Sequence, residues 1–153
     1  MTIRKATQED VPTIQKLNYE LFLSDNQWNH DLGCDWPFSE EGEKYFRDCV
    51  EQERFLSIVA EINGKVVGYL NGSIKHPSNI YLGKRAELDN IYVDEAVREK
   101  GVGTALVNEF KKWAKNNGAE RLMVEAFSGN EQAVEFYKKS GFEPYAARLS
   151  RRI

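Results

Sequence analysis

The sequence predicts a mixed α/β sheet with helices on both faces. Apolar residues recur every three to four positions in several stretches, the signature of amphipathic helices. Between them lie near-continuous apolar runs of strand length, and two of these are joined by Asn63-Gly64, the strongest short hairpin signal available. The resulting order, β-α-(α)-β-β-β-α-β-α-β-β, mixes hairpins with crossovers and so excludes a doubly wound parallel sheet. A chain of 153 residues suits a single domain, 1–153, with one sizeable core.

Taken in order, residues 2 to 7 alternate weakly and read as a first strand. Gln8-Glu9-Asp10 starts a helix, with Thr7 as N-cap, acidic Asp10 at N3 and Pro12 tolerated in the first turn. Val11, Ile14, Leu17, Leu21 and Phe22 form its apolar stripe, which fades near Ser24. Residues 24 to 38 carry no period and read as a loop containing Trp28 and Trp36; a loop of this length is often functional. Ser39 opens a second helix with Tyr45, Phe46, Cys49 and Val50 on its apolar face. Phe55 to Ile62 is a buried strand, Asn63-Gly64 a type I′ turn, and Val66 to Ile74 the partner strand. Residues 75 to 85 are a loop. A strand then leads to a helix over roughly 102 to 116, closed by Gly118. Arg121 to Phe127 is a further strand, Ser128 caps a short helix bearing Ala133, Phe136 and Tyr137, and Phe142 to the end holds one or two more strands broken by Pro144.

Bulk properties exclude several functions. A net charge of −3 leaves no nucleic-acid footprint. No apolar run approaches the roughly 20 residues of a membrane span. Thr2-Ile3-Arg4-Lys5 lacks a hydrophobic signal core, so a cytoplasmic location is expected. Cys34 and Cys49 make no disulfide framework, nothing marks either as an activated nucleophile, and no His, Cys or Asp cluster has metal-ligand spacing. His30 and His76 read as ordinary surface histidines.

The chemistry-bearing stretch is 86 to 104. Leu88, Ile91, Tyr92 and Val93 form a strand, and Arg98-Glu99-Lys100-Gly101-Val102-Gly103 leads from it into the 102–116 helix. A helix N-terminus offers unpaired N–H groups and the positive end of the helix dipole. Glycine lets the backbone approach a ligand, and Arg98 and Lys100 add charge, so the turn suits the pyrophosphate of a nucleotide-bearing cofactor. A dinucleotide-binding module fits less well, because Leu106 stands where the third glycine of Gly-x-Gly-x-x-Gly belongs.

Two motifs carry a family resemblance. Arg98-x-x-Gly101-x-Gly103 resembles the pyrophosphate loop of the GNAT superfamily of acyl-CoA-dependent N-acetyltransferases. Asn130-x-x-Ala133-x-x-Phe136-Tyr137-x-x-x-Gly141-Phe142 is similar to that family's later motif. The element order matches over nearly the whole chain. The resemblance implies a central, mostly antiparallel mixed sheet of about six to seven strands flanked by about four helices. It implies acetyl-CoA as cosubstrate, held by Arg98, Glu99, Lys100, Gly101, Val102, Gly103 and Thr104 at the pyrophosphate. Ile91, Tyr92 and Val93 would pair with the pantetheine arm, and Asn130, Ala133, Phe136 and Tyr137 would border the cofactor. Glu95, Val97 and Glu99 depart from the commoner proline, aromatic and glycine.

The implied reaction is acetyl transfer to a primary amine by direct attack in a ternary complex. Asp89 is the favoured base, with Glu87 and Glu125 as alternatives, since alternation along a strand in which a bulge is possible does not fix which way each carboxylate faces. Tyr137 would serve the departing sulfur. Tyr137 could instead be core, Asn130 a helix start, and the carboxylates solvated strand ends. Residues 25 to 53 hold nine acidic and two basic side chains. With Trp28, Trp36 and Asp35 they suit a cationic acceptor such as a polyamine, an aminoglycoside or a protein amine, although a solvated helix face has the same composition. A homodimer is expected. A non-catalytic CoA-binding sensor or assembly domain of the same fold is the competing reading.

Overall fold

The structure, a computed structural model, describes residues 1–153. Strand β1 (Thr2–Lys5) is followed by helix α1 (Val11–Asp25) and helix α2 (Glu40–Glu51). Strands β2 (Phe55–Ile62), β3 (Lys65–Lys75) and β4 (Arg85–Val93) come next, then helix α3 (Val102–Asn116), strand β5 (Arg121–Val124) and helix α4 (Glu131–Lys139). One sheet runs in the order β1-β2-β3-β4-β5. The first three pairings are antiparallel and β4–β5 is parallel.

The sheet therefore has five strands, fewer than the six to seven expected. No strand forms after Phe142. Pro144 has no N–H for a ladder, and Tyr145, Leu149 and Ile153 stay exposed, so no apolar face is buried there to hold one. The loop expected over 24 to 38 contains a single turn of 3₁₀ helix, Trp36–Phe38. The first helix begins with a 3₁₀ turn, Gln8–Asp10, before α1 proper.

Two cores flank the sheet. Under α3, Leu56, Ile58, Leu70, Ile74, Ala86 and Leu88 pack against Leu106 and Phe110, the latter wholly buried. Under α1 and α2, Val59 and Tyr69 pack against Val11, Ile14 and Phe46. Each Val, Leu, Ile or Phe side chain among them contributes about 1.5–3 kcal/mol through burial. Helix α2 is held at its start by Ser39, whose Oγ accepts from the Gly42 N–H at 3.1 Å.

The entry to α1 is tied to β1 by Asp10. Its carboxylate accepts from the Thr7 N–H at 2.8 Å and from the Arg4 guanidinium at 2.8 and 3.0 Å. The Arg4 hydrogen bond, helped by that of Thr7 and opposed by burial, holds the Asp10 carboxyl down at about 2. Because the folded-state value lies below the ordinary one, this stabilisation is present above about pH 4 and is lost as pH falls toward 2. Arg4 is partly solvated, which screens the pair. Asp10→Asn is expected to cost about 1–2 kcal/mol at pH 7 in urea denaturation, with the difference from wild type shrinking toward pH 2.

Strand β4 is irregular at one residue. Asn90 lies opposite Asn71 and Leu88 opposite Gly72, so Asp89 is the extra residue of a β-bulge. The alternation changes phase there: Ala86 and Leu88 face the α3 core, and beyond the bulge so do Ile91 and Val93. The parallel ladder to β5 covers only Arg85 to Leu88 and ends where the bulge begins. That is why β5 stops at Val124 and does not reach the expected Phe127. The β5-facing edge of Asp89 to Val93 is left without a strand partner.

Candidate active site

The divergence of β4 and β5 opens a groove of about 1140 Å³. It runs from the start of α3, along Ile91 to Val93 and the facing Glu125 to Phe127, to Asp89, Asp25 and Trp28. Its far wall is α4, through Asn130, Ala133, Phe136 and Tyr137.

At one end lies the turn before α3. Gly101 takes a left-handed φ of 79° and Glu99 one of 63°. Glycine adopts this region at little cost, whereas Glu99 strains the backbone. The first hydrogen bond of the helix runs from the Ala105 N–H to the Gly101 carbonyl. The N–H groups of Val102, Gly103 and Thr104 come before it, so they have no acceptor inside the helix, and all three residues line the groove. Arg98 braces the turn: its Nε donates to the Val93 carbonyl at 2.9 Å, and its guanidinium lies 5.1 Å from the centre of the Tyr92 ring. Lys100 lies outside the groove lining, while Glu99 is part of it.

The free edge of β4 offers main-chain N–H and C=O groups to an extended amide-bearing arm, and the α3 amides offer donors to a diphosphate. The two are continuous along one wall, so these residues fit acetyl-CoA.

Beyond the free edge, Asp89 reaches the groove because of the bulge. Its Oδ1 accepts from the Ser73 hydroxyl at 3.1 Å. The walls crowd the carboxyl although the residue stays open to solvent along the groove, and this desolvation pushes its pKa up to about 6, against the Ser73 hydrogen bond. Glu87 lies two residues earlier, outside the groove, 4.0 Å from Lys75. Glu125 lines the groove and pairs with Arg148 at 3.4 Å.

On the opposite wall, Tyr137 packs edge-on against Phe136 and Phe142 and donates no hydrogen bond within the protein. Burial pushes its hydroxyl up to about 12, with the Asp25 carboxylate adding to the rise. Asn130 caps α4, its Oδ1 accepting from the Ala133 N–H at 3.1 Å, so the cap is Asn130 and not Ser128. Its Nδ2 has no partner in the protein.

The acceptor end differs most from expectation. Trp28 lines the groove and lies against Gly129, where a Cβ would meet its ring at 2.8 Å; only glycine allows this approach. Trp36 does not reach the groove. It packs against Phe22, Tyr45 and Phe46 at 5.5 to 6.0 Å, because the Trp36–Phe38 turn folds it under α1 and α2. Asp35 is exposed outside the groove. The carboxylate that does line it is Asp25, the last residue of α1, half-buried and raised by that burial. One acid among nine in the segment, Asp25 carried no mark of its own in the sequence beyond its place at a helix end.

Residues 18–142 match the Acetyltransferase (GNAT) family. An uncharacterized N-acetyltransferase of Methanocaldococcus jannaschii is 32% identical over 144 residues, 93% of this chain and 60% of that protein. The chain thus spans less than two thirds of the length of that relative. An N-alpha-acetyltransferase of Sulfurisphaera tokodaii is 32% identical over 147 residues, 92% of this chain and 79% of that protein. An aminoglycoside N-acetyltransferase solved in complex with CoA shares the fold, with a TM-score of 0.77 over 99% of this chain and 98% of that one at 17% identity. No helix is long and apolar enough to cross a membrane. The splayed β4–β5 pair, the left-handed turn before α3 and the two sequence matches converge, and the chain belongs to the GNAT acetyltransferase family.

Proposed function

We propose that this chain is an N-acetyltransferase that moves an acetyl group from acetyl-CoA to a primary amine by direct attack in a ternary complex. The observation that carries the reading is the unpaired edge of β4, which runs from the free amides of α3 to the bulged Asp89. Acetyl-CoA supplies the thioester, and the chain supplies position, donors and a base. The amides of Val102, Gly103 and Thr104 hold the diphosphate, and Ile91 to Val93 pair with the pantetheine arm. Asp89 takes the proton from the ammonium of the acceptor, leaving a lone pair on nitrogen to form the C–N bond. N–H groups on β4 stabilise the negative charge that gathers on the carbonyl oxygen. The attacking nitrogen gives up its second proton to solvent, and the C–S bond then breaks, leaving a neutral amide and the CoA thiolate. Tyr137, held protonated by burial, donates a hydrogen bond to the sulfur as it leaves as thiolate. Solvent later takes the proton from Asp89.

Three carboxylates, Asp25, Asp89 and Glu125, and the Trp28 ring line the acceptor end, which supports a small cationic amine or a protein amine. An aminoglycoside N-acetyltransferase is among the structural neighbours, which is compatible with such an acceptor but does not select it. Thiol release from acetyl-CoA, followed across polyamines, aminoglycosides and amino-terminal peptides, tests the reading; acetyl-CoA binding with no turnover on any amine would leave a CoA-binding domain instead. With the best acceptor, Tyr137→Phe is expected to lower kcat about tenfold while leaving KM for the amine unchanged. Full activity would make Tyr137 a packing residue.

A further inference from the structure

We propose that Tyr45, on α2, is a positioning residue for Asp89: its hydroxyl grips Asn90 and so pins the bulge that turns Asp89 into the groove. The inference rests on Asp89 being the base. Asn90 follows the bulged residue directly, and its Nδ2 donates to the Tyr45 hydroxyl at 3.0 Å. Across the sheet Asn90 lies opposite Asn71, and Asn71 opposite Ser57. Asn71 and Ser57 are buried and Asn90 partly so, yet the covered Asn90 Oδ1, both side-chain polar atoms of Asn71 and Ser57 Oγ have no partner in the protein.

Polar side chains so placed cost stability that apolar ones would not. The row therefore makes sense as a device that fixes geometry. A β-strand held by its ladder alone can slip by one residue, and a slip sends every side chain to the other face. The Asn90 peg opposes that slip only while Tyr45 is itself fixed. Tyr45 is wedged among Trp36, Phe46 and Phe55, with ring centres 5.0 to 6.3 Å away. Trp36, absent from the groove, is thus part of the support. The groups facing the Asp89 carboxyl are Ser73, Lys75, Glu87 and Arg54, together with Tyr45 and Cys49 from α2.

The test compares wild type, Tyr45→Phe, Asn90→Leu, Asp89→Asn and Tyr45→Phe/Asp89→Asn, each checked for folding by circular dichroism. Kinetics use acetyl-CoA and the best amine of the panel, and the Asp89 carboxyl is titrated by carbon-13 NMR, a readout that needs no acceptor. Tyr45→Phe and Asn90→Leu are expected to lower kcat about tenfold with KM for acetyl-CoA unchanged, and to bring the Asp89 midpoint down from about 6. In the Asp89→Asn background, Tyr45→Phe should cost nothing further, because it acts through Asp89. An unchanged midpoint and kcat in Tyr45→Phe would overturn the proposal, as would the same loss in both backgrounds. Full activity of Asp89→Asn alone would sink the base assignment and, with it, the catalytic role of Tyr45; the NMR titration would still show separately whether Tyr45 sets the Asp89 carboxyl.

Discussion

Asp89→Asn is expected to lower kcat about 100- to 1000-fold while leaving KM for acetyl-CoA unchanged. Asparagine keeps the volume and can keep the Ser73 contact, but it cannot accept the proton of an ammonium group. Wild-type kcat/KM should rise with pH through a limb near 6, set by desolvation of the Asp89 carboxyl. Below that pH the base is already protonated and cannot act; above it the base is competent. The limb should vanish in Asp89→Asn, leaving only the titration of the acceptor amine at higher pH. The same elevated value has a stability consequence of opposite sign to that of Asp10. The folded state holds the proton on Asp89 more tightly than the unfolded state, so this group's contribution to stability declines as pH rises from about 4 to about 6. Asp89→Asn should remove that decline, which thermal melts across the range would read. A pH limb that persists unchanged in Asp89→Asn would shift the assignment to Glu125, the groove carboxylate that directly follows β5.

The second large effect concerns the turn before α3. Gly101→Val is expected to weaken acetyl-CoA binding about 100-fold in calorimetry, with the fold retained. A β-branched residue at φ 79° costs about 1–2 kcal/mol or more in strain, and the turn can relieve it only by rotating the following amides away from the groove. Losing one charge-assisted hydrogen bond to a phosphate adds about 1.5–3 kcal/mol, and the lower end of each range together makes about two decades in Kd. Glu99→Gly goes the other way. It relieves the left-handed strain at φ 63° and removes a carboxylate from beside the diphosphate, so it should tighten acetyl-CoA several-fold, most clearly at low salt. If the two variants bound equally, the diphosphate would not sit on this turn.

Where the chemistry is local, the sequence by itself determined the outcome. The glycine-containing turn, the helix start behind it and the Asn63-Gly64 hairpin each depend on residues a few positions apart, and all were legible. So was the family, because its two motifs are also local. The tertiary structure decided what depends on two strands at once. A bulge is a mismatch in count between neighbours, Asn71–Gly72 against Leu88–Asn90, and neither strand alone records it. That mismatch ends the β4–β5 ladder, opens the groove, and separates Asp89 from Glu87 as groove carboxylates. Packing likewise decided among the aromatic residues and acids of residues 25 to 53. Trp28 and Asp25 line the groove, whereas Trp36 is folded into the core and Asp35 faces solvent. Composition fixes how much charge and ring area a segment carries; only the placement of α1 and α2 against the sheet fixes which side chains face a ligand.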